Sequence, residues 1–331
     1  MKRLHLTFGT AAIVLGVVLG APPAQGDGYL DETRQALKHE LVRMINHDRR
    51  SIGLSPVELD PTASAIADAY CERQIRNGTS GHFTTDGQAP YMRYAFAGGN
   101  DGVSENAAAW SSNHKFSDRA LFEMMRRSQE AMLQETAPHD GHRRTILDPA
   151  ATHVGLGLAW QGGEFRLVQE FLRRYLSWTR TLPRQASLGD HILGMARPIN
   201  GFAVEAITVH FEPVPQSLTP AVANLIGSYA LPLRRREYRP RLGTRRWVGS
   251  DGATHEVREE YSDGRRGDFQ MSRDGSFTFA VPFPDGPGIY TVVVWVRRDS
   301  SDEPPISASN VSIRVDAPPA RIAATVSDDA R

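Results

Sequence analysis

The chain has 331 residues, 38 basic against 38 acidic side chains, and 40% apolar residues. That size and mix fit about two globular domains. A formal net charge of zero excludes the broad basic field of a nucleic-acid binder and gives no general pull toward an anionic membrane.

Residues 1–26 read as a secretory signal. Lys2 and Arg3 give a positive start, and residues 6–19 are apolar but shorter than the ~20 needed to span a bilayer. Ala24-Gln25-Gly26 suits cleavage, and no cysteine follows the apolar run, which argues against a lipoprotein. A secreted or periplasmic protein without a membrane anchor is expected. Cys71 is the only cysteine, so no internal disulfide can form. It follows the helical pattern Ala65-Ile66-Ala67-Asp68-Ala69-Tyr70 and reads as a buried, inert thiol.

A helix is predicted over 31–50 from Leu37, Leu41, Met44 and Ile45. Asp60 and Pro61 suit the cap and first position of a second helix, which Gly78 ends. His82 falls in the loop 79–88. A short helix over 90–97 and an extended segment over 103–110 follow, the latter carrying Glu105. Ser117 or Asp118 starts a helix that runs to Glu135 before Pro138, and His142 is placed in a Gly-flanked turn. Val154, Leu156, Leu158 and Trp160 alternate as a strand does, and Gly162-Gly163 turns the chain back into 165–172.

The character changes near Thr181-Leu182-Pro183. Asp-Gly pairs at 251, 263, 274 and 285 recur at spacings of 12, 11 and 11 residues, with strand-like runs over 202–211, 277–281 and 290–296. Such spacing predicts an all-β sandwich, immunoglobulin-like or fibronectin-like, over 186–316. It lacks the Cys…Trp…Cys core of antibody domains. Residues 317–331 read as a disordered tail. The arginine run Arg234-Arg235-Arg236 reads as a solvated loop face.

No His-Glu-x-x-His helix is present, since His39-Glu40 is followed by Leu-Val-Arg, and neither a Gly-x-Ser-x-Gly elbow nor a phosphate loop occurs. Four other segments stand out: Ser80-Gly81-His82-Phe83, Ser104-Glu105-Asn106-Ala107-Ala108, Gly141-His142-Arg143-Arg144-Thr145-Ile146-Leu147-Asp148-Pro149, and His153-Val154-Gly155-Leu156-Gly157-Leu158. Two neutral imidazoles can bind a divalent ion such as zinc. Nearby carboxylates can ligate it, orient an imidazole, or act as a base.

In order and spacing these segments resemble the CAP superfamily (cysteine-rich secretory proteins, antigen 5 and plant pathogenesis-related proteins of class 1; the SCP domain) in its bacterial form. The resemblance implies an α-β-α sandwich over 31–178, an α/β fold followed by the β-sandwich. It also implies a cleft in which His82, His142, Glu105 and a second glutamate meet. Ser104 stands where the family has Gly. The second glutamate is Glu135 if Met132 occupies the place of a family Trp; Glu130 is the competitor. The same residues also have plain structural uses: a surface histidine at 82, a loop hydrogen bond from Glu105, a Glu135–His142 stabilising pair. Three functions compete. One is a non-enzymatic protein that binds a divalent metal and a lipid or cell-surface component. A second is a metal-assisted hydrolase with Glu105 or Glu135 as base, and a third is a structural envelope or adhesion protein. The reading leans away from an enzyme and leaves the oligomeric state open.

Overall fold

A computed structural model describes residues 25–298 and 302–318. The expected leader and tail therefore lie almost wholly outside the described residues. The N-terminal unit contains helices α1 (Gln25–Ser51), α2 (Pro61–Asn77), α3 (Pro90–Phe96), α4 (Asp118–Leu133) and α5 (Gly141–Ile146). Its strands are β1 (Glu58–Leu59), β2 (Gly102–Ser111), β3 (His153–Gln161) and β4 (Glu164–Arg173). Helix α1 starts upstream of residue 31, where its apolar periodicity begins.

Local chemistry explains the boundaries. The Ala63 amide donates to Asp60 Oδ1 at 2.7 Å, Pro61 takes the first helical position, and Gly78 closes α2 at φ 63°, a conformation that costs glycine little. Ser117 accepts from the Ala120 amide and starts α4. Residue 142, expected in a turn, lies instead in the short helix α5. Glu135 makes the difference: its Oε2 accepts the amides of His142 at 2.9 Å and Arg143 at 3.4 Å, satisfying first-turn donors that a six-residue helix would otherwise leave bare.

The strands pair in the order β1-β3-β4-β2, parallel for β1–β3 and antiparallel for the others. Strand β4 is buried on both faces. Phe165, Leu167 and Phe171 pack with Leu37, Leu41, Met125 and Ile146 on the α1/α4/α5 side. Val168 packs with Ala67 and Cys71, and Leu172 with Met92, on the α2/α3 side. This is the helix–sheet–helix layering expected. Cys71 is buried, and burial pushes its thiol well above the ordinary range.

Beyond it run β5 (Leu176–Arg180), β6 (Gln185–Ser187), β7 (Ile192–Pro198), β8 (Phe202–Glu212), α6 (Pro220–Leu225), β9 (Arg235–Tyr238), β10 (Thr244–Val248) and β11 (Thr254–Arg258). They are followed by β12 (Gln270–Met271), β13 (Phe277–Val281), β14 (Gly288–Arg298), β15 (Ile306–Ser307) and β16 (Val311–Asp316). One sheet has the order β12-β13-β7-β5 and the other β6-β16-β14-β8-β9, with β15 beside β14. Leu176, Ala196, Phe277 and Phe279 of the first share one buried cluster with Val209, Tyr290, Val292 and Ile313 of the second. Strand β5 thus joins the second unit ahead of residue 186.

Among the four Asp-Gly pairs, 251–252 and 274–275 close the β10–β11 and β12–β13 hairpins. The pair at 285–286 links β13 to β14, and the pair at 263–264 sits in the β11–β12 connection. The β10–β11 ribbon is exposed along its whole length. The arginine run is more than a solvated loop: Arg234 and Arg236 both pair with Asp285 beside β9. No helix among the described residues is long and apolar enough to cross a membrane.

Candidate functional site

Strand β2 is an edge of the N-terminal sheet, and the site is assembled around it. Period-two alternation sends Glu105 to the α2/α3 face and Asn106 to the α4/α5 face. His82 reaches Glu105 from the first side. Tyr70 Oη and Gln74 Nε2 on α2 both donate to the Gly81 carbonyl, at 2.9 and 2.8 Å, and so pin its loop. His142 comes from the second side, where Asn106 Nδ2 donates to its carbonyl at 3.1 Å. The buried Arg49 guanidinium holds the carbonyls of Ile146, Asp148 and Ala151 behind α5. The two imidazole centroids stand 6.3 Å apart.

Each imidazole is matched to its own carboxylate. His82 Nδ1 lies 2.9 Å from Glu105 Oε1, and His142 Nδ1 lies 2.5 Å from Glu135 Oε1. The Nδ1 proton is thereby placed toward the carboxylate, and Nε2 of each ring is the nitrogen with a lone pair to offer. Glu130 instead pairs with Arg126 on the exposed side of α4, so Glu135 is the carboxylate beside His142.

Glu105 Oε2 is taken by Arg93 from α3, whose Nη2 also lies 3.5 Å from Glu170 Oε1. Arg93 Nη1 donates to the His82 carbonyl at 3.2 Å, and its guanidinium lies 3.5 Å over the Tyr70 ring. Arg93 consumes the charge on Glu105 that would otherwise favour imidazolium. Burial and the Arg93 charge hold His82 down to about 4, so it is neutral and able to ligate at neutral pH. Glu170, directly opposite Glu105 across β2–β4, is fully buried with Oε2 unpartnered. Burial pushes its carboxyl up to about 7.

The second unit also enters the site. The Glu105 amide, on the free edge of β2, donates to Tyr229 Oη at 2.6 Å, and the Tyr229 ring meets His82 edge-on at a centroid distance of 5.0 Å. Of the four residues expected to converge, then, His82, Glu105, His142 and Glu135 do so in two hydrogen-bonded pairs. Arg93, Glu170 and Tyr229 were not anticipated. An arginine between Met92 and Tyr94 in an apolar helix, and a glutamate inside the apolar run 165–172, were legible anomalies. Nothing in the sequence around Tyr229 pointed to the cleft.

Among the described residues no group of three or more His, Cys, Asp or Glu stands ready to enclose a metal ion. The donor set is two imidazoles whose partner carboxylates are occupied with orienting them. That chemistry fits a weakly enclosed divalent ion that completes its coordination with water or a ligand.

The N-terminal unit is thus a helix–sheet–helix sandwich with two histidine–carboxylate pairs at one sheet edge. Residues 42–171 match the sequence model of the cysteine-rich secretory protein family, CAP, and the N-terminal unit is a CAP domain. The match spans under half of the 331 residues and leaves the second unit unassigned. Among solved structures, an outer surface protein from Borrelia burgdorferi is 18% identical. It covers 42% of this chain and 93% of its own, with a TM-score of 0.35. An extracellular protein containing an SCP domain from Bacillus anthracis is 16% identical, covering 47% of this chain and 45% of its own, with a TM-score of 0.32. No curated protein matches the chain.

Proposed function

We propose that this is a secreted or periplasmic CAP-domain protein that works by binding, with His82 and His142 holding a divalent cation such as zinc. The observation that carries this reading is the pair of oriented imidazoles, 6.3 Å apart, each with Nδ1 on a carboxylate. A bound ion would supply a positive centre for an anionic or carbonyl oxygen of a ligand. Binding is favoured over hydrolysis because all four carboxylate oxygens are engaged. Glu105 is held by His82 and Arg93, and Glu135 by the His142 ring and two amides. Each carboxylate is thus committed to orienting its imidazole. The lipid or cell-surface ligand implied by the resemblance belongs to the same reading. So do the signal over 1–26 and an immunoglobulin- or fibronectin-like identity for the second unit.

The test is zinc titration followed by native mass spectrometry and calorimetry. Wild-type protein is expected to take up one ion per chain, and the His82→Ala/His142→Ala double variant none. Glu135→Gln, which weakens the orienting bond, is expected to lower affinity about 10- to 100-fold. Equal uptake by wild type and the double variant would refute the site.

A further inference from the structure

We infer that residues 213–233 of the second unit are a built-in cover over the His82 side of the cleft, with Tyr229 as the residue that shuts it. This concerns the same histidine pair as the proposal above but does not depend on a metal being what they bind.

The segment leaves β8, crosses onto the CAP domain, and returns to β9. It is fastened at both ends and in the middle. Tyr91 Oη donates to Glu212 at 2.9 Å where the crossing begins, and the Leu218 amide donates to the Thr85 carbonyl at 2.7 Å. Asn224 then brackets the loop that carries His82. Its Oδ1 accepts the Ser80 amide at 2.7 Å, and its Nδ2 donates to the Gly78 carbonyl at 3.2 Å. Tyr229 ends the series, with its hydroxyl on the Glu105 amide and its ring against His82.

The consequence is an asymmetric site. The His82 side chain is 7% exposed, whereas the His142 side chain retains 32%. One imidazole is sealed by the chain itself and the other is reachable from solvent.

The attachment is of a kind that can open. The Asn224 bonds lie at the surface. Leu225 and Leu233 are 85% and 98% exposed, and within the segment Ala223 is fully buried while Tyr229 and Leu231 pack partly against the α3 cluster. Few buried apolar contacts and solvent-exposed hydrogen bonds are the marks of a segment that can separate locally without global unfolding. A ligand that must reach both imidazoles therefore has to displace Tyr229, and the second unit gates the first.

Histidine acylation of the full chain by diethyl pyrocarbonate, in the presence of a chelator and read by peptide mass spectrometry, tests this. In wild type His142 is expected to react and His82 to be protected at least tenfold. In Tyr229→Ala, His82 is expected to react at a rate approaching that of His142, with an unchanged circular dichroism spectrum. Wild-type His82 reacting as fast as His142 overturns the proposal, and so does a natively folded Tyr229→Ala protein in which His82 stays protected. Should that variant fail to fold, hydrogen exchange on wild type decides. The amides of Glu105, Leu218 and Ser80 are expected to exchange together, faster than the β3–β4 ladder. Exchange of these amides only by global unfolding would refute an opening cover. Zinc affinity plays no part in either readout, so failure of the metal reading leaves this result interpretable.

Discussion

Arg93 stands between two buried carboxylates, and burial, with its single charge second, sets the state of the residues around it. Burial, and after it the Arg93 charge, leaves His82 neutral; Arg93 pairs with Glu105 and reaches Glu170 only at 3.5 Å. The pH consequences have opposite signs. His82 falls from 6.5 to about 4 on folding, so its contribution to stability is complete above about 6.5 and is lost as pH falls toward 4. Glu170 rises from 4.5 to about 7, so its contribution is complete below about 4.5 and is lost as pH rises through 7. Each shift corresponds to about 3 kcal/mol at full extent, on the usual conversion of about 1.4 kcal/mol per pKa unit. Over the shared window the two largely offset one another. Glu170→Gln mimics the neutral acid and removes one of them. In chelated protein the variant should match wild type in urea denaturation at pH 4.5 and exceed it by up to about 3 kcal/mol at pH 8. No gain at pH 8 would mean that Glu170 is ionised without cost.

At the scale of elements, the seating of α2 on β3 positions the His82 loop. Gly157 and Gly155 lie directly beneath Ala67 and Ala63; a Cβ on Gly157 would stand 2.3 Å from the Ala67 carbonyl carbon. The close approach lets α2 side chains cap the edge of β3, with Ser64 Oγ accepting the Leu156 amide at 3.0 Å and Asp68 Oδ1 the Leu158 amide at 2.9 Å. The far end of the same helix carries Tyr70 and Gln74, which hold Gly81. Gly157→Ala should cost about 1–3 kcal/mol in chemical denaturation, because the atoms it meets include backbone that cannot rotate away. A change below about 0.5 kcal/mol would show that α2 is free to slide. The Gly155-x-Gly157 and Ala63-x-x-x-Ala67 spacings were visible in the sequence. That they face each other was not, because nothing local selects which helix a strand receives.

Across the whole molecule the two units are joined around α3 and the start of β2. Arg184 donates to the carbonyls of Ala95 and Gly99 at 2.6 and 2.7 Å and to Asn100 Oδ1 at 2.8 Å. The Gly102 amide donates to the Ala308 carbonyl and the Val103 amide to Asn310 Oδ1, at 3.0 and 2.8 Å. Ile289 and Leu231 pack in one cluster with Met92 and Val103. A joint with so many part-buried polar contacts should make the chain unfold in one calorimetric transition. Arg184→Met leaves its acceptors unpaired and should lower stability by about 2 kcal/mol or split the transition in two. A single, unshifted transition in the variant would argue that the joint is incidental.

Helix caps, the apolar faces of α1, α2 and α4 and the β3–β4 hairpin could be read from the chain, because each rests on local spacing; the side chains at 82, 105, 135 and 142 were named only through the family resemblance, with Glu130 left as a competitor of Glu135. The placement of β5, the helical state of residue 142, the burial of Arg93 and Glu170 beside His82, and the arrival of Tyr229 at His82 could not be read from it. Those depend on which surfaces meet after collapse, and a contact between residues 105 and 229 leaves no trace in the periodicity of either segment. Pattern names the groups available for chemistry. Packing sets their charge, their partners and which of them a ligand can reach.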